Sequence, residues 1–182
     1  MINQKNSNQS FFISLLSFIP IFVFVIYARV KELLGSCNVG WQEPFYIGAL
    51  LAIVLTTLQY MSGLILDRLM MGANLFLVLS AFFFLFQINP CLSILGEYKG
   101  PCFIAAVLIV GIFSTFFTRY GFIGATGDHK KIRFASIILL VGTTAALLWA
   151  FLFNHLGIAI SAIVPFIALR ILNEYLKNSL QK

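Results

Sequence analysis

Six stretches of nearly unbroken apolar residues alternate with short polar segments along this chain. A hydrocarbon layer about 30 Å thick needs about 20 helical residues at 1.5 Å each. The pattern therefore predicts membrane-crossing helices over about 11–28, 45–66, 69–88, 101–118, 134–153 and 158–172. Residues 1–10 read as a polar tail, and 173–182 as a second polar tail that extends the last helix into water. The first apolar run is longer than a signal-peptide core and no small-residue cleavage site follows it, so it reads as a retained span. Asn89-Pro90 reads as the stop of the third span, with a loop from there to Gly100. Pro20 and Pro165 fall inside the first and last spans. Each removes a backbone donor and predicts a kink. Gly48 and Ala52, Gly111 and Thr115, and Gly142 and Ala146 are each four apart, the spacing that puts small residues on one helix face for close packing.

Composition supports the same class. The 182 residues are 60% hydrophobic and 10% charged, and include 20 Phe. A soluble domain carries about 25% charge, so this chain lacks the polar residues to cover a water-facing surface. The fold expected is all-α and membrane-embedded. The net charge of +6 sits beside apolar runs, which points to anionic lipid headgroups rather than nucleic acid.

The cations also orient the spans. Arg119, Lys130, Lys131 and Arg133 cluster in one loop, and such clusters are kept on the cytoplasmic side. With six spans, that side also holds Lys5, Arg68, Arg170, Lys177 and Lys182. The other side holds only Arg29, Lys31 and Lys99. The imbalance predicts that both termini are cytoplasmic. Arg170 lies near the end of the last span, where its long stem can snorkel to the headgroups.

Candidate chemistry is sparse. Within the predicted span ends there is no Asp, Glu, Lys or His, which disfavours a proton- or ion-coupled pump. The interior polar residues, among them Ser17, Thr56, Gln59, Ser114 and Thr143, either bond between helices or line a pore. Gly121, Gly124 and Gly127 beside Lys130 and Lys131 read either as a phosphate nest or as a flexible loop whose lysines meet lipid. Cys91 and Cys102 could close a short loop by a disulfide. Cys37–Cys91 is a rival pairing, and three unpaired thiols are the alternative to both. The acids are scattered singly, His129 and His155 are placed on opposite sides, and no hydrolase or zinc motif is present. A non-enzymatic protein without cofactor or metal is expected.

The segment SFIPIFVFVIYARV resembles the opening of the bacterial intracellular septation protein A family, with its proline-containing span followed by Phe, Tyr and a basic residue. GALLAIVLTTLQYMSGLILDRLMMGANLFLVLSAFFFLF is similar in layout to that family's next two spans. EYKGPCFIAAVLIVGIFSTFF is similar to the span after them. The first loop here is longer and contains Cys, and the basic loop is shorter and Gly-rich. The resemblance implies an inner-membrane protein that supports envelope integrity and septation, in contact with division or envelope membrane proteins. A small-solute transporter or channel acting as a homo-oligomer is the competing expectation.

Overall fold

The structure is a computed structural model and describes residues 17–27, 30, 42–62, 67–125 and 127–180. The tail 1–10, residues 181 and 182, and Lys5, Arg29, Lys31, Cys37 and Lys182 lie outside the described residues. The described part is helical, without strands. Its elements are α1 (Ser17–Tyr27), α2 (Gln42–Met61), α3 (Arg68–Leu85), α4 (Asn89–Glu97), α5 (Lys99–Phe117), α6 (His129–Leu152) and α7 (Val164–Leu180). A π-helical turn, Ala159–Ile163, leads directly into α7.

Among the described residues five helices are long and apolar enough to cross a membrane: α2, α3, α5, α6 and Ala159–Leu180. The chain is thus membrane-embedded. α1 belongs to a shorter class. Its described length of roughly 16 Å is about half of a hydrocarbon core. Residues 11–16 of the first expected span are outside the described part.

Several boundaries differ from the hydropathy pattern for local reasons. α6 starts five residues before 134, because the Asp128 carboxylate accepts the Lys130 N–H at 3.0 Å and caps the helix there. α3 is capped in the same way by Asp67, which accepts the Leu69 N–H at 3.1 Å. The segment after Asn89 is not a loop. Pro90 stands at the start of α4, where its missing N–H costs nothing, so a residue read as a stop is a start. α7 runs to Leu180, and the expected tail does not simply project into water: Asn173 and Leu176 are buried.

Successive long helices run antiparallel. Asn74 Nδ2 donates to Thr56 Oγ1 at 3.1 Å between α3 and α2. Phe45 lies 5.4 Å from Phe84 at the other end of the same pair. Gln59 Nε2 donates to Ser17 Oγ at 2.8 Å where α2 ends and α1 begins, and Tyr27 donates to Glu43 at 3.0 Å where α1 ends and α2 begins. Tyr98 and Phe151 meet at 6.0 Å across α5 and α6. Asn154 Nδ2 donates to the Glu97 carbonyl at 2.8 Å, tying the α6–α7 turn to the end of α4. These contacts give the bundle two ends. One carries Ser17, Asp67, Arg119, His129 and Lys177; the other carries Tyr27, Glu43, α4 and His155.

A row of buried phenylalanines crosses the bundle. Phe24, Phe45, Phe76, Phe103 and Phe166 come from α1, α2, α3, α5 and α7, with successive centroids 4.8, 5.9, 5.4 and 5.1 Å apart. Within lipid, burial of apolar area does not separate helix from hydrocarbon. Dense ring-on-ring and backbone packing supplies the association instead. At Gly72 of α3 the helix comes up against the backbone of α5: an added Cβ would stand 2.5 Å from the Val107 Cα. The outer faces keep large apolar residues exposed, such as Leu50 and Leu58 on α2 and Val141 and Leu148 on α6, as lipid contact requires.

Gly72→Ala should therefore weaken the α3–α5 contact, by about 1–3 kcal/mol as overpacking does. Gly96→Ala meets nothing within 4 Å and should be neutral or slightly stabilising. Unfolding of the two variants in detergent micelles, followed by circular dichroism, checks this difference.

Candidate functional site

The polar groups at the Asp67 end converge on α7. Arg170, Asn173, Glu174 and Lys177 share one helical face through their three- and four-residue spacings. Arg170 pairs with Asp67, the cap of α3, and with Glu174 at 3.2 Å. Lys177 lies 3.5 Å from Glu174 and 4.0 Å from Asp67. The Arg170 guanidinium also stands over the Phe18 ring of α1, 5.4 Å from its centroid. One charge cluster thus joins α1, α3 and α7. The two acids taken as isolated, Asp67 and Glu174, share a pair of cations, and Arg170 is held by the protein rather than by headgroups. Its side chain is 14% exposed and that of Asp67 is 11%. Asn173 lies on the same face, 1% exposed, and neither its Oδ1 nor its Nδ2 bonds to the protein.

The cluster holds charges but no nucleophile. Among the described residues no group of His, Cys, Asp and Glu could hold a metal ion. Its carboxylates are occupied by cations, which suits a clamp between helix ends better than proton transfer.

The basic loop lies at the same end. Arg119, Lys130, Lys131 and Arg133 are all exposed, and the Arg133 guanidinium sits 6.0 Å from the Phe116 ring centroid. The glycine segment between them is not a loose tether. Phe122 and Ile123 are fully buried, and their N–H groups point to Ser136 Oγ at 3.0 and 3.5 Å. Gly121 (φ 58°) and Gly124 (φ 68°) supply the left-handed turns that fold this segment back into the bundle. Ser136 takes these N–H groups and Phe122 fills the space, so the Phe122–Ile123 backbone is not open to a phosphate.

The small residues serve different neighbours. Gly48 faces Leu77 of α3 and Phe24 of α1, Ala52 is buried beside it, and Gly142 faces Leu172 and Leu169 of α7. Ala146 is also buried. Gly111 does not admit a helix. An added Cβ there would stand 2.7 Å from the Phe122 ring, so Gly111 makes room for the loop. Thr115 beside it donates to the Gly111 carbonyl at 2.8 Å.

The disulfide expected as one option between Cys91 and Cys102 is not formed. Both are free, half-buried thiols. Cys91 is in the first turn of α4 and Cys102 in the first turn of α5, with helix where an open loop was expected. Pro20 is buried within α1, and the carbonyl it would free lies outside the described residues. Pro165 follows the π turn, in which Val164 N–H bonds to the Ala159 carbonyl. In that register Pro165 leaves the Ile160 carbonyl without a donor, and the Trp149 indole supplies one at 3.1 Å. At the opposite end Tyr98 hydrogen-bonds Glu97, and this bond and the nearby carboxylate charge raise its phenol above the usual range.

The chain matches no protein-family model, no curated protein and no solved structure.

Removing the acid at the centre of the charge cluster leaves Arg170 and Lys177 with Glu174 as their remaining partner. Asp67→Asn should cost about 1–3 kcal/mol, below the figure for a fully buried pair because water still reaches these groups. Glu174→Gln, at a side chain 47% exposed, should cost under about 1 kcal/mol. Denaturant titration in micelles should rank the two in that order.

Proposed function

We propose that this chain is a non-enzymatic, six-span protein of the bacterial inner membrane, with both termini cytoplasmic. Its role is to support envelope integrity or septation as a scaffold for other envelope or division proteins. The family resemblance in segment layout suggests that role. The structural observation that carries the scaffold reading over a conduit is the use of the interior polar groups. Gln59 bonds Ser17, and Asn74 bonds Thr56. Thr115 and Thr143 return their hydroxyls to their own helices at 2.8 Å, and Ser136 holds the re-entrant loop. A solute path would need several of these groups turned toward a shared cavity. A cleft between α1, α3, α5 and the π turn is lined by apolar side chains such as Ile21, Phe24 and Phe103.

Orientation rests on charge. Arg68, Arg119, Lys130, Lys131, Arg133, Arg170 and Lys177 belong to one end of the bundle and Lys99 to the other, which favours the first end in the cytoplasm. The scaffold reading leaves room for a homo-oligomer, and the transporter reading would favour one.

A deletion strain should form filaments or leak periplasmic content. Gln59→Leu should restore the normal state, since one interhelical bond is worth about 0.6 kcal/mol. Normal morphology and barrier function combined with a specific uptake or resistance defect would favour the transporter instead.

A further inference from the structure

The cations at the Asp67 end are in two electrostatic states. Arg170 and Lys177 are matched by Asp67 and Glu174. Arg119, Lys130, Lys131 and Arg133 are exposed, and none pairs with a carboxylate among the described residues. The acid nearest in sequence, Asp128, caps α6 and leaves the group net positive. These four flank the seam where α5 ends and α6 begins. Arg133 is level with Phe116 across the seam, its guanidinium over that ring. Lys130 is three residues earlier on α6, about 4.5 Å further out and on a neighbouring face. Arg119 is exposed in the turn just after α5 ends at Phe117. On α5, Phe113 and Phe117 stack at 5.7 Å, and both rings are exposed with Phe116. The seam therefore has an exposed aromatic ridge, with Arg133 level with Phe116 and Lys130 nearer the start of α6.

We propose that this seam is a binding site for an anionic phospholipid. Its phosphate lies among Arg133, Arg119 and Lys130, and its chains lie on the Phe113, Phe116 and Phe117 ridge. Ordinary attraction to a charged leaflet would need only the charges. The guanidinium held over Phe116 is positioned in advance, and its planar fork matches two phosphate oxygens. The ridge gives the chains a fixed wall. The site rests on the membrane reading but not on the septation role or on which side is cytoplasmic.

Native mass spectrometry of the full chain released from detergent, titrated with phosphatidylglycerol or phosphatidylcholine of equal chain length, tests the site. The wild-type chain should retain phosphatidylglycerol in preference. Arg119→Gln/Arg133→Gln should bind it roughly 30-fold more weakly, at about fivefold per charge removed. Lys99→Gln, at the other end, should bind as wild type. If the Arg variant melts early, Lys130→Gln/Lys131→Gln carries the same direction of change. A wild-type chain without headgroup preference, or Arg and Lys variants that retain phosphatidylglycerol like Lys99→Gln, would overturn the site. Displacement of the lipid by millimolar inorganic phosphate would count against it as well, since the ridge would then contribute nothing. A deletion strain without phenotype would leave this result untouched, and failure here would leave the scaffold role standing.

Discussion

Hydrocarbon offers no hydrogen bonds, and every polar group placed in it must be satisfied by the chain itself. That constraint accounts for most of what this molecule does with its few polar residues. The described backbone is helical throughout the five long apolar segments. Threonine hydroxyls return to carbonyls one turn back, as at Thr143. Where Pro165 removes a donor, the π turn and the Trp149 indole re-pair the freed backbone. Where the chain re-enters at Gly121–Gly124, Ser136 receives the N–H groups of Phe122 and Ile123. Among the described residues charges appear only at the ends, and there Asp67 joins a helix cap to two cations.

Packing follows from the same solvent. With no hydrophobic gain between helices, close contact has to come from shape. Gly72 brings the α3 backbone onto Val107, and the phenylalanine row from Phe24 to Phe166 fills the centre. The abundance of Phe is thus split between two tasks: a buried row that joins five helices, and exposed rings such as Phe113 and Phe117 that meet lipid.

The sequence carried the long helices well because their signal is local. α2, α3, α5, α6 and α7 begin or end within a few residues of the apolar runs, except where a cap or a continued amphipathic face extends them. Asp128 moved the start of α6, and Leu176 kept α7 packed beyond its apolar core. α4 was hidden because Asn89-Pro90 serves equally as a stop and a start. The charge cluster was not legible: Asp67 and Arg170 are far apart in sequence, and each had a sensible solitary reading. Four-residue spacing found Gly48 and Gly142 but misassigned Gly111, whose partner is a loop. It also passed over Gly72, which has no small residue four positions away. The glycine-rich loop was read as flexible because polarity and glycine hide two buried apolar residues, Phe122 and Ile123.

The bundle joins its ends in a definite way: α4 and the α6–α7 turn at one side, the basic loop and the end of α7 at the other. Single cysteines placed at Ser93, His155, His129 and Asn178, all exposed, in a cysteine-free chain would read this directly with a membrane-impermeant thiol reagent. In intact cells lacking an outer barrier, positions 93 and 155 should react together, and 129 and 178 only after permeabilisation. Reaction of 129 alongside 155, or of 93 without 155, would contradict the bundle and its placement in the membrane.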